Sequence, residues 1–201
     1  MLIVKDRAGC PDQHDLACYL RRVDPALHDV GKIGVPDQVL LKRGELNAAE
    51  WELMKTHTTT GAALLSSSRS PLIQMAETIA RTHHERWDGT GYPHGLRGQQ
   101  IPLVGRICAI CDVFDALSSR RPYKQPWPFE LVIKEIVGKR GTHFDPELVD
   151  ALASIMPELE RAHAQATAQT SSAQTSSAHV HEPSAQEVAA PHVHALERSV
   201  T

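Results

Sequence analysis

The chain has 201 residues, 41% apolar and 22% charged, with a formal net charge of −3. That is room for one domain with a sizeable core plus tails. The mildly acidic balance argues against general nucleic-acid binding, which usually needs a strongly basic face, but leaves room for a small anionic ligand neutralised locally by metals and a few basic residues. Twelve histidines against three phenylalanines direct attention to metal chemistry.

Along the chain, residues 1–25 form a short N-terminal segment. There Leu16, Tyr19, Leu20 and Val23 suggest a short amphipathic helix that Pro25 interrupts. Residues 26–160 carry the helical patterns and every chemical motif. Asn47 with Glu50 resembles a capping box, opening a helix through Trp51, Met54 and His57. Leu72, Met75, Ala76, Ile79, Ala80 and His83 keep helical spacing over 72–85. A third helix is predicted from about Pro102 to Ser118, with Val104, Ile107, Cys108 and Cys111 inward. Pro128 starts another, with Phe129, Val132, Ile133 and Ile136 on one face. The last begins with Asp145 as N-cap and Pro146 behind it, Phe144 stapling against Val149. No window alternates as a half-buried strand does, so the expected fold class is all-α.

Between the second and third of these helices, residues 86–101 hold Gly89, Gly91, Gly95, Gly98 and Pro93 directly after a His-His pair. A loop of that length in a compact helical domain is usually functional or disordered, and its neighbours favour function. Residues 161–201 are an Ala/Ser/Thr/Gln/His-rich tail with the pentapeptide Gln169-Thr170-Ser171-Ser172-Ala173 repeated at 174–178; it is expected to be disordered. His-Val-His occurs twice in it, at 179–181 and 192–194, and is read as composition bias. The four cysteines, Cys10, Cys18, Cys108 and Cys111, are too sparse for a disulfide framework; the last two read as small buried residues. Neither a signal peptide nor a membrane segment of roughly 18 apolar residues is evident, so a cytoplasmic address is expected.

Four groups of potential ligands fall in apolar stripes of separate segments: His28-Asp29, His57, His83-His84 and Asp112. A buried aspartate facing several histidines is costly unless paired or metal-bound, and helical bundles build dinuclear sites from inward side chains on facing helices. Mixed imidazole and carboxylate ligation suits iron, manganese or zinc better than calcium or magnesium. Two metals sharing a carboxylate can generate a hydroxide and clamp the phosphate it attacks. Glu85 and Asp88 are read as groups that hold the glycine loop. Asp115 is read as structural, while His94 and His143 have no assigned role.

The strings His28-Asp29-Val30-Gly31-Lys32-Ile33-Gly34-Val35-Pro36-Asp37 and His83-His84-Glu85-Arg86-Trp87-Asp88-Gly89-Thr90-Gly91-Tyr92-Pro93 resemble the HD-GYP subgroup of the HD phosphohydrolase superfamily. The match continues through Asp112-Val113-Phe114-Asp115-Ala116-Leu117, Arg121-Pro122-Tyr123-Lys124 and Phe144-Asp145-Pro146. The resemblance implies an HD-domain helical bundle with a long Gly/Pro-rich loop after the His-His pair. It implies two divalent metals, three in some members, most often iron or manganese, held by His28, Asp29, His57, His83, His84 and Asp112, with Asp29 as the bridging carboxylate. Lys32 would contact the scissile phosphate, and Arg121 and Lys124 would bind the ligand's phosphate and guanine groups. Gly91-Tyr92-Pro93 would line the substrate entrance and, in some members, dock a diguanylate-cyclase (GGDEF) partner. The implied reaction is hydrolysis of cyclic di-GMP to linear pGpG and often onward to GMP.

The beginning of the domain departs from the family pattern. Members normally carry an earlier helix, well upstream of the HD pair, with another histidine and sometimes a glutamate in the metal site. Only 27 residues precede His28, with His14 the sole histidine among them, so the expectation is an N-terminally truncated domain lacking that first helix. Two alternatives follow: a catalytically impaired module that binds cyclic di-GMP or a diguanylate-cyclase partner, and a general HD-type nucleotide phosphohydrolase.

Overall fold

A computed structural model of the chain describes residues 27–119 and 125–161. The readings made on residues 1–25, on Arg121 and Lys124 and on 162–201 lie outside the described residues. Within them the order is a 3₁₀ turn Val30–Gly34, then α1 Asp37–Leu40, α2 Ala48–Lys55, α3 His57–Leu65, α4 Pro71–Thr82, a 3₁₀ turn Gly98–Gln100, α5 Leu103–Ser118, α6 Phe129–Gly138 and α7 Pro146–Ser154. A last helical stretch covers 156–161. The described residues contain no strand, only an isolated bridge between Arg140 and Phe144. The all-α reading holds, and no described helix is long and apolar enough to cross a membrane.

Local chemistry sets the helix starts. Asn47 accepts from Glu50 N at 2.9 Å while Glu50 accepts from Asn47 N at 2.8 Å, closing the capping box of α2. Pro71 opens α4. Asp145 accepts from Glu147 N at 2.9 Å to cap α7, and Phe144 and Val149 share one core cluster, as the staple requires. The fully buried Asp145 carboxylate also pairs with Arg106 on α5 at 2.5 Å, which ties α7 to the helix carrying Asp112.

Four expectations need correcting. The helix opened at Asn47 stops at Lys55: Thr56 N bonds Leu53 O three residues back, so the turn tightens and His57 begins a new helix. The α4 helix ends at Thr82, and Glu85 N closes a tight turn onto Thr82 O, so the His-His pair follows the helix instead of lying within it. Leu72, placed on the inward stripe, is 54% exposed at the first turn of α4. Cys111 is exposed, because α5 turns Cys108 towards Ile79 and Val104 and turns Ile110 and Val113 towards the α6–α7 core, which leaves Cys111 on neither face.

The 3₁₀ turn packs on α3, α3 on α4, and α4 on α5, so the segments bearing potential ligands adjoin one another in a chain. Two glycines permit this. A Cβ on Gly31 would lie 1.9 Å from His57 O and 2.3 Å from Gly61 N, and one on Gly105 would lie 2.2 Å from Thr82 Oγ1. The first contact brings Asp29 to His57, and the second brings α5 to the end of α4. Gly31→Ala should therefore destabilise the fold by about 1–3 kcal/mol in urea titrations, the usual cost of overpacking a tight contact. Gly44→Ala, where a Cβ meets nothing within 4 Å, should stay within about 0.5 kcal/mol of the parent. Equal effects at the two positions would contradict the packing account.

Candidate metal centre

Asp29 is where the segments meet. His28 and Asp29 directly precede the first 3₁₀ turn, His57 opens α3, His83 and His84 follow α4, and Asp112 sits on α5. One ligand atom from each of Asp29, His57, His83 and His84 falls within 4.8 Å of the others. Asp29 Oδ1 is 3.6 Å from His57 Nε2 and 3.9 Å from His83 Nε2. His28 Nε2 joins from the other side, 3.3 Å from Asp29 Oδ2 and 3.6 Å from Asp112 Oδ1. All six residues singled out as ligands in the sequence are thus adjacent, as a tight group of four flanked by the His28–Asp112 pair. Lys32 Nζ forms an ion pair with Asp29 Oδ2.

Backbone carbonyls fix two of the imidazoles. His57 Nδ1 donates to Met54 O at 2.7 Å, and His83 Nδ1 lies 3.0 and 3.1 Å from Ile79 O and Ala80 O. A carbonyl only accepts, so each Nδ1 carries the proton and each Nε2 presents its lone pair. Those two Nε2 atoms are 3.4 Å apart. They face the buried Asp29 Oδ1, which has no hydrogen-bond partner. Lone pairs and an anionic oxygen gathered without a proton between them repel one another, and a cation of suitable size resolves that repulsion. The donors present fit a divalent metal.

The electrostatics agree with this reading. Burial, with the neighbouring imidazoles, pushes His83 down to about 3 and His84 well below the ordinary histidine value; burial also lowers His57. These rings are neutral near pH 7, as ligands must be. His28 goes the other way: burial disfavours its charge, but hydrogen bonds to Asp112 and Asp29 raise it to about 10, so without metal it is protonated near pH 7 and would have to release that proton to act as a ligand. Burial likewise opposes charge on Asp29 and Asp112, yet His28, with Lys32 at Asp29, holds both carboxyls below the usual range.

The glycine loop is fastened beside this group. Glu85, fully buried, accepts from His94 N at 2.8 Å and Leu96 N at 2.9 Å, and Asp88 accepts from Thr90 N at 2.9 Å. Trp87 N and Asp88 N donate to His143 O and Thr142 O. His143 is buried with its ring stacked on Phe144 at 4.3 Å, so it belongs to the support of this loop. Gly91, Tyr92 and Pro93 are half-buried, and the Tyr92 ring stacks on His84. Sequence reasoning gave Tyr92 no contact with a metal ligand, and no spacing signal could have supplied one.

A family model described as an HD domain matches residues 19–148. The chain belongs to the HD-domain family. This HD domain is 52% identical over 133 residues to a cyclic di-GMP phosphodiesterase of Thermotoga maritima, covering 66% of this chain and 36% of the relative. It is 50% identical over 139 residues to the cyclic di-GMP phosphodiesterase response regulator RpfG of Xanthomonas campestris, covering 69% and 37%. It is 51% identical over 126 residues to a 3'3'-cGAMP-specific phosphodiesterase of Vibrio cholerae, covering 63% and 24%. The HD domain therefore spans between 24% and 37% of these relatives' length.

If Asp29 is the shared anionic ligand, Asp29→Ala should leave the purified HD domain without bound metal while its helical circular dichroism persists. Elemental analysis beside the parent protein checks this, and retained metal would contradict the assignment.

Proposed function

We propose that this HD domain is a metal-dependent phosphodiesterase of the HD-GYP type that hydrolyses cyclic di-GMP to pGpG and/or GMP. The observation that carries the proposal is the convergence of neutral imidazole lone pairs on the unpaired oxygen of Asp29, in a chain about half identical to relatives named as cyclic di-GMP phosphodiesterases. His28, Asp29, His57, His83, His84 and Asp112 would hold two divalent ions, iron or manganese, with Asp29 shared between them; the donor mix suits those metals. When bound, such ions supply Lewis acidity at a phosphoryl oxygen and a hydroxide at neutral pH.

The chain's own residues supply the rest. Met54, Ile79 and Ala80 carbonyls hold the His57 and His83 rings with their lone pairs directed inward. Lys32, which pairs with Asp29, would bring a positive charge to where negative charge grows on the phosphate as water attacks. Arg121 would grip phosphate or guanine through its planar donor fork, with Lys124 beside it. Gly91, Tyr92 and Pro93 would edge the substrate entrance. A diguanylate-cyclase partner at that loop gains no support from the relatives' names.

The protein loaded with Mn(II) should hydrolyse cyclic di-GMP, and EDTA should abolish the reaction. Lys32→Ala should lower kcat by about 10²-fold or more, the scale seen when one stabilising donor is removed, and the loss should persist at saturating Mn(II), where weaker support of Asp29 no longer limits metal loading. The assay should run cyclic di-GMP, 3'3'-cGAMP and mononucleotides side by side. Preference for 3'3'-cGAMP would correct the substrate, turnover of mononucleotides alone would make this a general nucleotide phosphohydrolase, and tight binding without turnover would make it a binding module.

A further inference from the structure

The four clustered ligands are not oriented alike. His57 and His83 are held through Nδ1 by carbonyl groups, and Asp29 is held by its ion pairs with His28 and Lys32. The His84 ring makes no hydrogen bond among the described residues. Its surroundings are aromatic: the Tyr92 ring lies nearly parallel at 4.9 Å and 29°, His83 is tilted at 4.0 Å and 42°, and His57 meets it edge-on at 5.1 Å and 82°. Two of these neighbours are themselves ligands. The stacking face that remains belongs to Tyr92.

Tyr92 is in turn held firmly. Its backbone N donates to His84 O at 3.2 Å, which doubles the loop back on the residue its ring covers. Gly91 makes that return possible, because a Cβ there would lie 2.3 Å from Arg86 N and 2.6 Å from His84 O. Glu85 clamps the far side of the loop through His94 N and Leu96 N. Trp51 meets the Tyr92 ring edge-on at 6.0 Å and 79°, and Lys55 Nζ lies 5.8 Å from its centre. An aromatic ring braced on several sides is a rigid surface, and stacked pairs of this kind contribute beyond the area they bury.

We infer that Tyr92 is the positioning residue for His84, its ring doing for this ligand what carbonyl hydrogen bonds do for His57 and His83. The inference rests on the reading of Asp29, His57, His83 and His84 as a metal centre. Outer contacts that orient a ligand typically set metal affinity by about 10- to 100-fold, so removal of the ring should act on binding before any chemistry. A residue that served only to shape the substrate entrance would leave metal affinity unchanged.

The test is Mn(II) titration of the full chain, followed by loss of the free-ion electron paramagnetic resonance signal. Tyr92→Phe, which keeps the ring, should bind within about twofold of the parent, and Tyr92→Leu should bind about 10- to 100-fold more weakly. Tyr92→Met provides a second ringless variant should circular dichroism show Tyr92→Leu unfolded. Because the ring acts through His84, Tyr92→Leu should cost little further affinity in a His84→Ala background. Parent-like affinity in both ringless variants overturns the inference, as does an equal loss in Tyr92→Phe or a fully additive double variant. A parent chain that binds no Mn(II) fails differently, since it removes the metal centre itself.

Discussion

The structure depends on a charge that must be neutralised. Asp29 is ionised beside His28 and Lys32, yet its Oδ1 is buried without a hydrogen bond and faces two Nε2 lone pairs whose protons have been committed to carbonyls on the far side of each ring. Burying polar groups in that state costs free energy that apolar packing does not return locally. A cation held by Asp29, His57, His83 and His84 would convert the repulsion into ligand bonds. The surrounding features follow from the need to hold these donors in place.

The scaffold does this with short-range contacts. Gly31 lets the turn behind Asp29 lie against the His57 carbonyl, and Gly105 lets α5 approach Thr82 just before the His-His pair. Arg106 and Asp145 then anchor α5 to the start of α7, while Glu85 and the carbonyls of residues 142–143 fix the loop that returns over His84. Each tie is polar or sterically narrow, and Gly31, Thr82 and Glu85 lie one or two residues from a proposed ligand. The apolar core of α5, α6 and α7 stands beside the site and gives α5 a rigid back.

The helices were legible because their starts are local. Asn47 with Glu50, Pro71, and Asp145 with Pro146 specify helix beginnings through bonds within a few residues. Helix ends were less legible: the breaks at Thr56 and after Thr82 arise from tight turns that the apolar spacing of Met54 to His57 and Ile79 to His83 does not register. Cys111 and Leu72 fit the inward stripes by spacing and yet face outward, since spacing names a face but not what covers it. The candidate ligands were legible because His28-Asp29, His57, His83-His84 and Asp112 fall in apolar stripes of separate segments, and the resemblance of the whole motif set implied their roles. The carbonyl clamps on Nδ1 and the Tyr92 stack depend on the exact backbone path and were invisible until that path was known.

The central claim is that this cluster is a metal centre, and its most direct measurement is the metal content per chain of the unmodified protein, purified anaerobically and assayed by elemental analysis. The account predicts iron or manganese at one or more equivalents per chain, surviving extensive dialysis. Fully folded protein with no bound metal, which acquires none when iron or manganese is supplied, would contradict it.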